Sequence, residues 1–454
     1  MNKMAKRNRD MCQGPLFGNI VAYTIPVILT GILQLLFNAA DLMIVGRLCG
    51  SIYVSAVGAT TSLIHLIVNL FIGLSVGAGV AVAHAIGAKD MKMVHKTVHT
   101  AIPTAIISGI VLTVIGVIFS GTFLAWMGTP DDVLPLSATY MRIYFAGITA
   151  SMLYNFGAAI LRAAGDTKGP LIYLTLAGVV NVVLNVVFVL LFDMDVDGVA
   201  LATTISQILS AALVLRALIR RHDACRLKLR AMRFYKVPMM KLLKIGVPAG
   251  IQGSLFSISN VIIQSSVNSF GAVVVAGNSA AGTLEGFVYT IMNSFHQTAL
   301  NFIGQNMGAK QYKRINKILW ICLGCVFVVG GVSGGGFYLL GRPLLSIFIS
   351  DSAQAIEYGM IRMMFICLPY FVCGLMDVTT GAIRGMGVSL TPMVITILGV
   401  CGLRIGWIYT IFQIPAYHTL SCLYFSYIVS WVATFFVELI AFFIIYRRKI
   451  RLHP

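Results

Sequence analysis

The sequence predicts an all-α polytopic membrane protein, with twelve transmembrane helices in two pseudo-symmetric six-helix lobes. Three observations predict it. Composition is the first: of 454 residues, 58% are hydrophobic and only 11% are charged. Soluble domains carry about 25% charged residues. A soluble chain this long would need far more charge to cover its surface, so a water-soluble enzyme, a disordered chain and a secreted disulfide scaffold are excluded. The second is that apolar stretches of spanning length, about 20 residues, recur to the end of the chain. The third is an internal repeat.

Taken in order, the apolar stretches give twelve spans. Span 1 (17–46) holds Pro26 and Asp41. No charge lies between Arg47 and Lys89, which leaves room for a short loop and span 2 (53–86) with Gly73, Gly77 and Gly79. Span 3 (95–125) carries Pro103, and span 4 covers 133–160. Span 5 (169–192) carries Asn181 and Asn185, and span 6 (197–220) carries Thr203 and Thr204. Span 7 (241–269) holds Pro248 and span 8 (274–306) holds Glu285. Span 9 (316–341) is rich in glycine, at Gly330, Gly331 and Gly334 to Gly336. Span 10 (353–383) has Pro369 and Asp377, span 11 (390–413) has Pro392 and Arg404, and span 12 (419–446) has Glu438. Membrane helices tolerate proline where neighbours satisfy the freed carbonyl. The glycines predict close helix approach.

Lys and Arg set the orientation. One set of breaks holds Lys3, Lys6, Arg7 and Arg9, then Lys89, Lys92 and Lys96, then Arg162 and Lys168. It continues with ten basic residues from Arg216 to Lys244, then Lys310, Lys313, Arg314 and Lys317, then Arg384, and Arg447, Arg448, Lys449 and Arg451. The alternate breaks hold only Arg47 and Arg342, with Asp131, Asp132, Asp193, Asp195 and Asp197 on that side. Positive loops stay in the cytoplasm, so both termini are expected there. The net charge of +18 is therefore a topology signal and predicts no nucleic-acid partner. The basic start, 1–13, precedes an apolar segment too long for a signal peptide. Cys322 and Cys325 have metal or redox spacing but lie in an apolar run, where free Cys packs as a small hydrophobe.

The repeat is read from three matches in order. AIGAKDMKMVHK (85–96) aligns with NMGAKQYKRINK (306–317) at an offset of 221. At 222, Ile-Pro26 meets Val-Pro248, and LRAAGDTKGP (161–170) meets IRGMGVSLTP (383–392). The offset carries an even number of spans, so the halves share one orientation. The expected lobes are 1–221 and 241–454, joined by a solvated basic linker over 222–240. Parallel repeats are a secondary-transporter architecture with substrate sites near the midplane.

Ionisable groups inside the bilayer cost about 2.5–3.5 kcal/mol on insertion scales and mark function by default. The acids are Asp41, Glu285 and Asp377; Glu438 sits near the cytoplasmic end and is expected to snorkel. Arg404 is the candidate to offset Asp377 or Glu285. Asn181 and Asn185 stand four apart, on one helical face. With Asp41 and Thr203 they would make a hard oxygen site suited to Na+ or a proton. The alternative is that these amides and hydroxyls only bridge helices. His84, His95 and His99 read as interfacial. The sequence has neither a phosphate-binding loop nor a metal-spaced His cluster.

Pro26 at the start of span 1, DLMIVGRL with Asp41, AVGAT (56–60), the two GAK motifs, LRAAGDTKGP and MNSFHQTALNFIGQNMGAK (292–310) are spread along the chain. Together they resemble the multidrug and toxic compound extrusion (MATE) family, in its bacterial NorM- and DinF-like branches. The resemblance covers nearly the whole chain. It implies a V-shaped pair of lobes, alternating access, and export of organic cations or amphipathic drugs in exchange for H+ or Na+. It further implies a bacterial inner-membrane protein, monomeric among lipids, without an enzymatic cofactor. Asp41 matches the family's N-lobe cation-binding acid, Asn181 and Asn185 its span-5 polar pair, and Thr203 its span-6 partner. Archaeal and DinF-like members have Asp where Asn185 stands. Asp377 is similar to the span-10 acid of the NorM-like branch. The span-7 acid of that branch is missing: Gln252 and Gln264 are the nearest polar groups, and Glu285 is the candidate replacement. The rival readings are a lipid or lipid-linked oligosaccharide flippase, a membrane-embedded transferase and a passive channel.

Overall fold

The computed structural model describes residues 11–49, 51–349 and 352–451. Lys3, Lys6, Arg7 and Arg9, part of the orientation argument, lie outside the described residues. Every expected span falls on a helix. The first six are α1 (Leu16–Ile44), α2 (Ser51–Gly87), α3 (Met91–Trp126), α4 (Leu134–Ala146 with Ile148–Ala163), α5 (Lys168–Leu191) and α6 (Val196–Ile219). The next six are α7 (Lys236–Asn268), α8 (Ala272–Gly308), α9 (Tyr312–Leu339), α10 (Ala353–Gly385), α11 (Leu390–Gln413) and α12 (Leu420–Arg451). Ten are long and apolar enough to cross a membrane, and the two bent pieces of α4 together make an eleventh. Helix α8 runs 37 residues, but its second half is polar for an internal reason. Thr298 is 2.8 Å from Thr24, and Asn306 donates to the Met11 carbonyl at 3.0 Å.

The pattern along each helix is inverted relative to a soluble protein. On α5, Val179, Val183, Val186 and Leu190 are exposed while Asn181 and Asn185 are buried. On α3, Ile107, Ile110, Val114 and Ile118 face outward. Apolar side chains outside and polar groups bonded inside are what a hydrocarbon solvent selects.

The described chain divides into two compact units, one spanning Ile25–Ser254 and the other Met11–Thr24 with the chain from Leu255 onward. These units differ from the expected lobes 1–221 and 241–454: α1 and α7 are each divided between them. The repeat is visible in the backbone of both. Lys89 and Lys310 adopt left-handed φ of 55° and 57°, and Gly165 and Gly387 have 87° and 84°. The turns around them bond alike. Asp90 N donates to Ala85 O at 3.1 Å as Gln311 N does to Asn306 O at 2.9 Å. A left-handed Lys is uncommon, so the same exception at both ends of the offset is a repeat of structure as well as of sequence.

Glycine matters where backbones meet. A Cβ on Gly73 would lie 2.2 Å from Gly250 N, and one on Gly250 would lie 2.1 Å from Leu70 O, so α2 and α7 pack backbone to backbone. In span 9 only part of the glycine stripe does this: Gly334 faces the Cys367 carbonyl, whereas Gly331, Gly335 and Gly336 face open space. The two pieces of α4 meet at Gly147 with a 47° bend. There the Thr204 hydroxyl donates to Ile143 O at 3.2 Å, through space that a Cβ at Gly147 would fill.

The basic linker is not a solvated connector. His99, fully buried, accepts from Lys228 N at 2.9 Å through Nε2, while its Nδ1 meets His95 O at 2.7 Å. Tyr235 N donates to Thr100 Oγ1 at 3.2 Å. Arg221 Nε donates to both Asp223 oxygens, at 2.9 and 3.1 Å, and Cys225 and Leu227 are buried. The linker is a strap laid on the start of α3, and His99 is its anchor, not an interfacial residue. Burial pushes the Cys225 thiol up to about 12. Because the thiolate is the nucleophile, Cys225 should alkylate at least about tenfold more slowly in the folded protein at mildly alkaline pH than after denaturation. His99→Ala should release the strap and restore the rate. Peptide mass mapping after maleimide labelling reads both; equal rates in the two states would show an unattached strap.

Candidate functional site

Asp41 lies on the last quarter of α1, within an otherwise apolar run. The carboxylate meets side chains from α5 and α6. Asn185 Nδ2 donates to Asp41 Oδ1 at 2.5 Å, and Thr203 Oγ1 donates to Oδ2 at 3.4 Å. Asn181 Nδ2 reaches Thr203 Oγ1 at 3.4 Å, and Asn185 Nδ2 lies 3.5 Å from Asn181 Oδ1. The four predicted residues therefore form one cluster. The four-residue spacing stacks the two amides, and α6 pairs closely with α5 to bring in Thr203. Asn185 is fully buried and its Oδ1 has no hydrogen-bond partner among the described residues. An orphaned buried carbonyl oxygen beside a carboxylate suits a small cation. A half-turn of the Asn185 amide would exchange its donor for that acceptor, so the same residues fit either an ionised Asp41 or a neutralised one.

The unit that begins again at Leu255 holds polar groups around Glu285, Arg404, Asp377 and Glu438. Glu285 on α8 accepts from Arg362 on α10, Nη2 at 2.7 Å and Nε at 3.0 Å. Arg362 Nη1 also donates to Asn278 Oδ1 at 2.6 Å, and Asn278 Nδ2 donates to Gln264 Oε1 at 2.9 Å. Tyr424 OH completes the chain on Asn278 at 2.8 Å. Glu285 and Gln264 are thus linked, through two residues the sequence reading did not connect to them.

Arg404 is not the partner of Glu285. Its guanidinium carbon lies 3.9 Å from the Tyr427 ring centroid and 5.5 Å from that of Trp431, and its Nε donates to Ser430 at 2.9 Å. The charge of this buried Arg is met by aromatic faces. The backbone carbonyl of Asp377 meets His296 Nδ1 at 2.7 Å, and the buried Asp377 Oδ2 has no hydrogen-bond partner among the described residues.

Glu438 overturns the snorkelling expectation. It is fully buried and bonded by two threonines: Thr380 Oγ1 is 2.8 Å from both carboxyl oxygens, and Thr396 Oγ1 is 3.0 Å from Oε1. Helix α12 continues unbroken to Arg451, so Glu438 lies too deep to reach the end of the bundle.

Comparison with known proteins decides the family. The MatE family profile matches residues 26–187 and again 248–410. The chain belongs to the MatE family. The two matched blocks of this MatE protein start at Pro26 and Pro248, the same offset that the sequence repeat gives. Among its relatives is the probable multidrug resistance protein YoeA of Bacillus subtilis, 28% identical over 391 residues and covering 84% of each chain. Another is the probable multidrug resistance protein YpnP of the same species, 28% identical over 396 residues, 87% of this chain and 88% of the relative. An outward-facing multidrug resistance MATE family transporter of the MOP superfamily has the same fold. It superposes with a TM-score of 0.90 at 20% identity, over 97% of this chain and 98% of that one. A MOP superfamily transporter from Pyrococcus furiosus gives 0.90 at 21% identity, with the same coverage.

Proposed function

We propose that this MatE protein is a multidrug exporter, and that it works as a secondary antiporter coupled to a monovalent cation, H+ or Na+. The observation that carries the coupling is Asp41 set against Asn185, Asn181 and Thr203 inside an apolar helix. Ionised, Asp41 is held by an amide and a hydroxyl. Loaded from outside, it is neutralised, and the amide oxygens of Asn181 and Asn185 with the Thr203 hydroxyl supply further ligands to Na+ or hydrogen bonds to the protonated acid. Neutralisation lowers the cost of the inward-facing arrangement, and substrate favours the return. Each ligand can shift that equilibrium only by its differential affinity for the two arrangements.

The names of the Bacillus relatives support export of drugs. For substrate we point to organic cations and amphipathic molecules, met by Asp377, Arg404 and the Glu285–Arg362–Asn278–Gln264 chain. Because Arg362 already offsets Glu285, the net negative charge expected there is smaller than the acids alone suggested, and the aromatic faces near Arg404 carry more of the recognition. We place the protein as a monomer in the bacterial plasma membrane, termini in the cytoplasm, without an enzymatic activity. The test is reconstitution in proteoliposomes with Na+ and pH gradients imposed separately. Uptake of a soluble organic cation should follow one of them and collapse when it is dissipated. Flux indifferent to both gradients would reject coupling, and lipid translocation without uptake of the soluble cation would favour the flippase.

A further inference from the structure

We propose that the cleft between the start of α3 and the strap binds the headgroup of an anionic phospholipid, a phosphodiester with apolar chains attached. The cleft has a volume of about 620 Å³, within the range of about 300–1,000 Å³ found for small-molecule sites. Lys92, His95 and Lys96 line it from α3, and His222, Asp223 and Tyr235 line it from the strap side. Lys92 and Lys96 are four apart, so one helical face carries both, with His95 beside them. The strap is set in place by its backbone. Tyr235 N donates to Thr100 Oγ1 at 3.2 Å, and Arg233 N donates to His99 O at 3.2 Å. That anchoring leaves the Tyr235 ring centroid 5.7 Å from Lys96 Nζ, a cation–π distance.

Charge selects an anion. Like charges at i and i+4 on a helix repel, and the acids beside this lysine pair are engaged elsewhere. Asp223 accepts from Arg221 Nε at 2.9 and 3.1 Å and from Cys225 N at 3.1 Å. Asp90 caps α3, accepting from Met93 N at 2.9 Å. Among the described residues neither Lys92 nor Lys96 lies in an ion pair. The cleft therefore offers two ammonium groups without an acidic partner, next to an aromatic face. Apolar surface selects a lipid over a free phosphate. Met91, on the cleft wall, is 53% exposed, and Phe234 and Val237, close to Tyr235 in the chain, are 47% and 64% exposed. Acyl chains would cover such side chains, whereas a soluble anion would gain nothing from them. Lysine stems lie along apolar surface while their ammonium groups reach a phosphate, and basic pockets at a membrane boundary suit anionic headgroups.

The site is independent of the exchange reading above, and its test needs no transport. A headgroup bridging α3 and the strap holds the strap down, so amide hydrogen exchange over 222–235 reads occupancy. Wild type in phosphatidylcholine nanodiscs should exchange there about tenfold faster than in nanodiscs that also contain phosphatidylglycerol. Lys92→Gln combined with Lys96→Gln should erase that difference. Both side chains are exposed, so the melting temperature in phosphatidylcholine should not change. Lys313→Gln combined with Lys317→Gln removes the same charge at the repeat-related positions, which do not line the cleft, and should preserve the difference. Wild type indifferent to phosphatidylglycerol, or a difference that survives in the first double variant, would overturn the site. Equal loss in both double variants would also overturn it, since general surface attraction then suffices. Inorganic phosphate added to phosphatidylcholine nanodiscs should not slow exchange; slowing to the same extent would assign the cleft to a free anion and overturn the lipid.

Discussion

Vesicles carrying Asp41→Asn should show no gradient-driven efflux of an ethidium-type cation, a fall of about 100-fold or more to the passive leak. The substituted amide is nearly isosteric with the protonated acid and can still bond to Asn185 and Thr203, whose atoms lie 2.5 and 3.4 Å from the carboxylate oxygens. Insertion and folding should therefore be unchanged, which detergent-phase gel filtration and the thermal melt would verify. What the amide cannot do is alternate between a charged and a neutral state. The difference in cation affinity between the two arrangements disappears, and with it the coupling free energy. Equilibrium binding of the substrate should persist, because the acid is asked to drive the cycle, not to hold cargo. Full efflux by this variant in sealed vesicles would remove Asp41 from the mechanism.

The parts of this site that the sequence exposes are those that depend on one helix at a time. A carboxylate in an apolar run and two amides four residues apart are visible without knowing which helices touch. The repeat was visible for a similar reason: the left-handed Lys89 and Lys310 lie in short motifs whose local turns recur. Pairing across the bundle was not legible. Glu285 and Arg362 come from different helices, 77 residues apart in the chain, and no local spacing marks them as partners. Glu438 has basic residues a few turns on, which reads as a helix end until α10 and α11 bring Thr380 and Thr396 to it. The linker did leave a signal. In the run Cys225-Arg-Leu-Lys-Leu-Arg230, apolar and basic residues alternate, the period of an extended segment with one face packed, and Cys225 and Leu227 are the buried pair.

Arg362 offers the largest expected effect on stability. Both members of its pair with Glu285 are 13% exposed, and Nη2 stands 2.7 Å from Oε2. Removing one partner of a buried pair leaves an uncompensated charge and costs about 3–5 kcal/mol, whereas replacing both by well-packed apolar groups is often neutral. Arg362→Met would strand the Glu285 carboxylate and also take a donor from Asn278 Oδ1, leaving Tyr424 OH as its remaining partner. Its detergent-solubilised melting temperature should fall by on the order of 10 °C. Glu285→Gln should be milder, since the amide oxygen still accepts from the guanidinium and the Tyr424 ring lies 5.7 Å from it. The double variant with Met at 362 and Leu at 285 should recover most of the loss, so the four melting temperatures close a double-mutant cycle with a large coupling. Additive losses would mean that the two groups do not stabilise each other. The stable double variant then separates two roles for Glu285. If the acid touches a cationic substrate, binding falls although the fold is intact; if it serves only Arg362, binding is preserved.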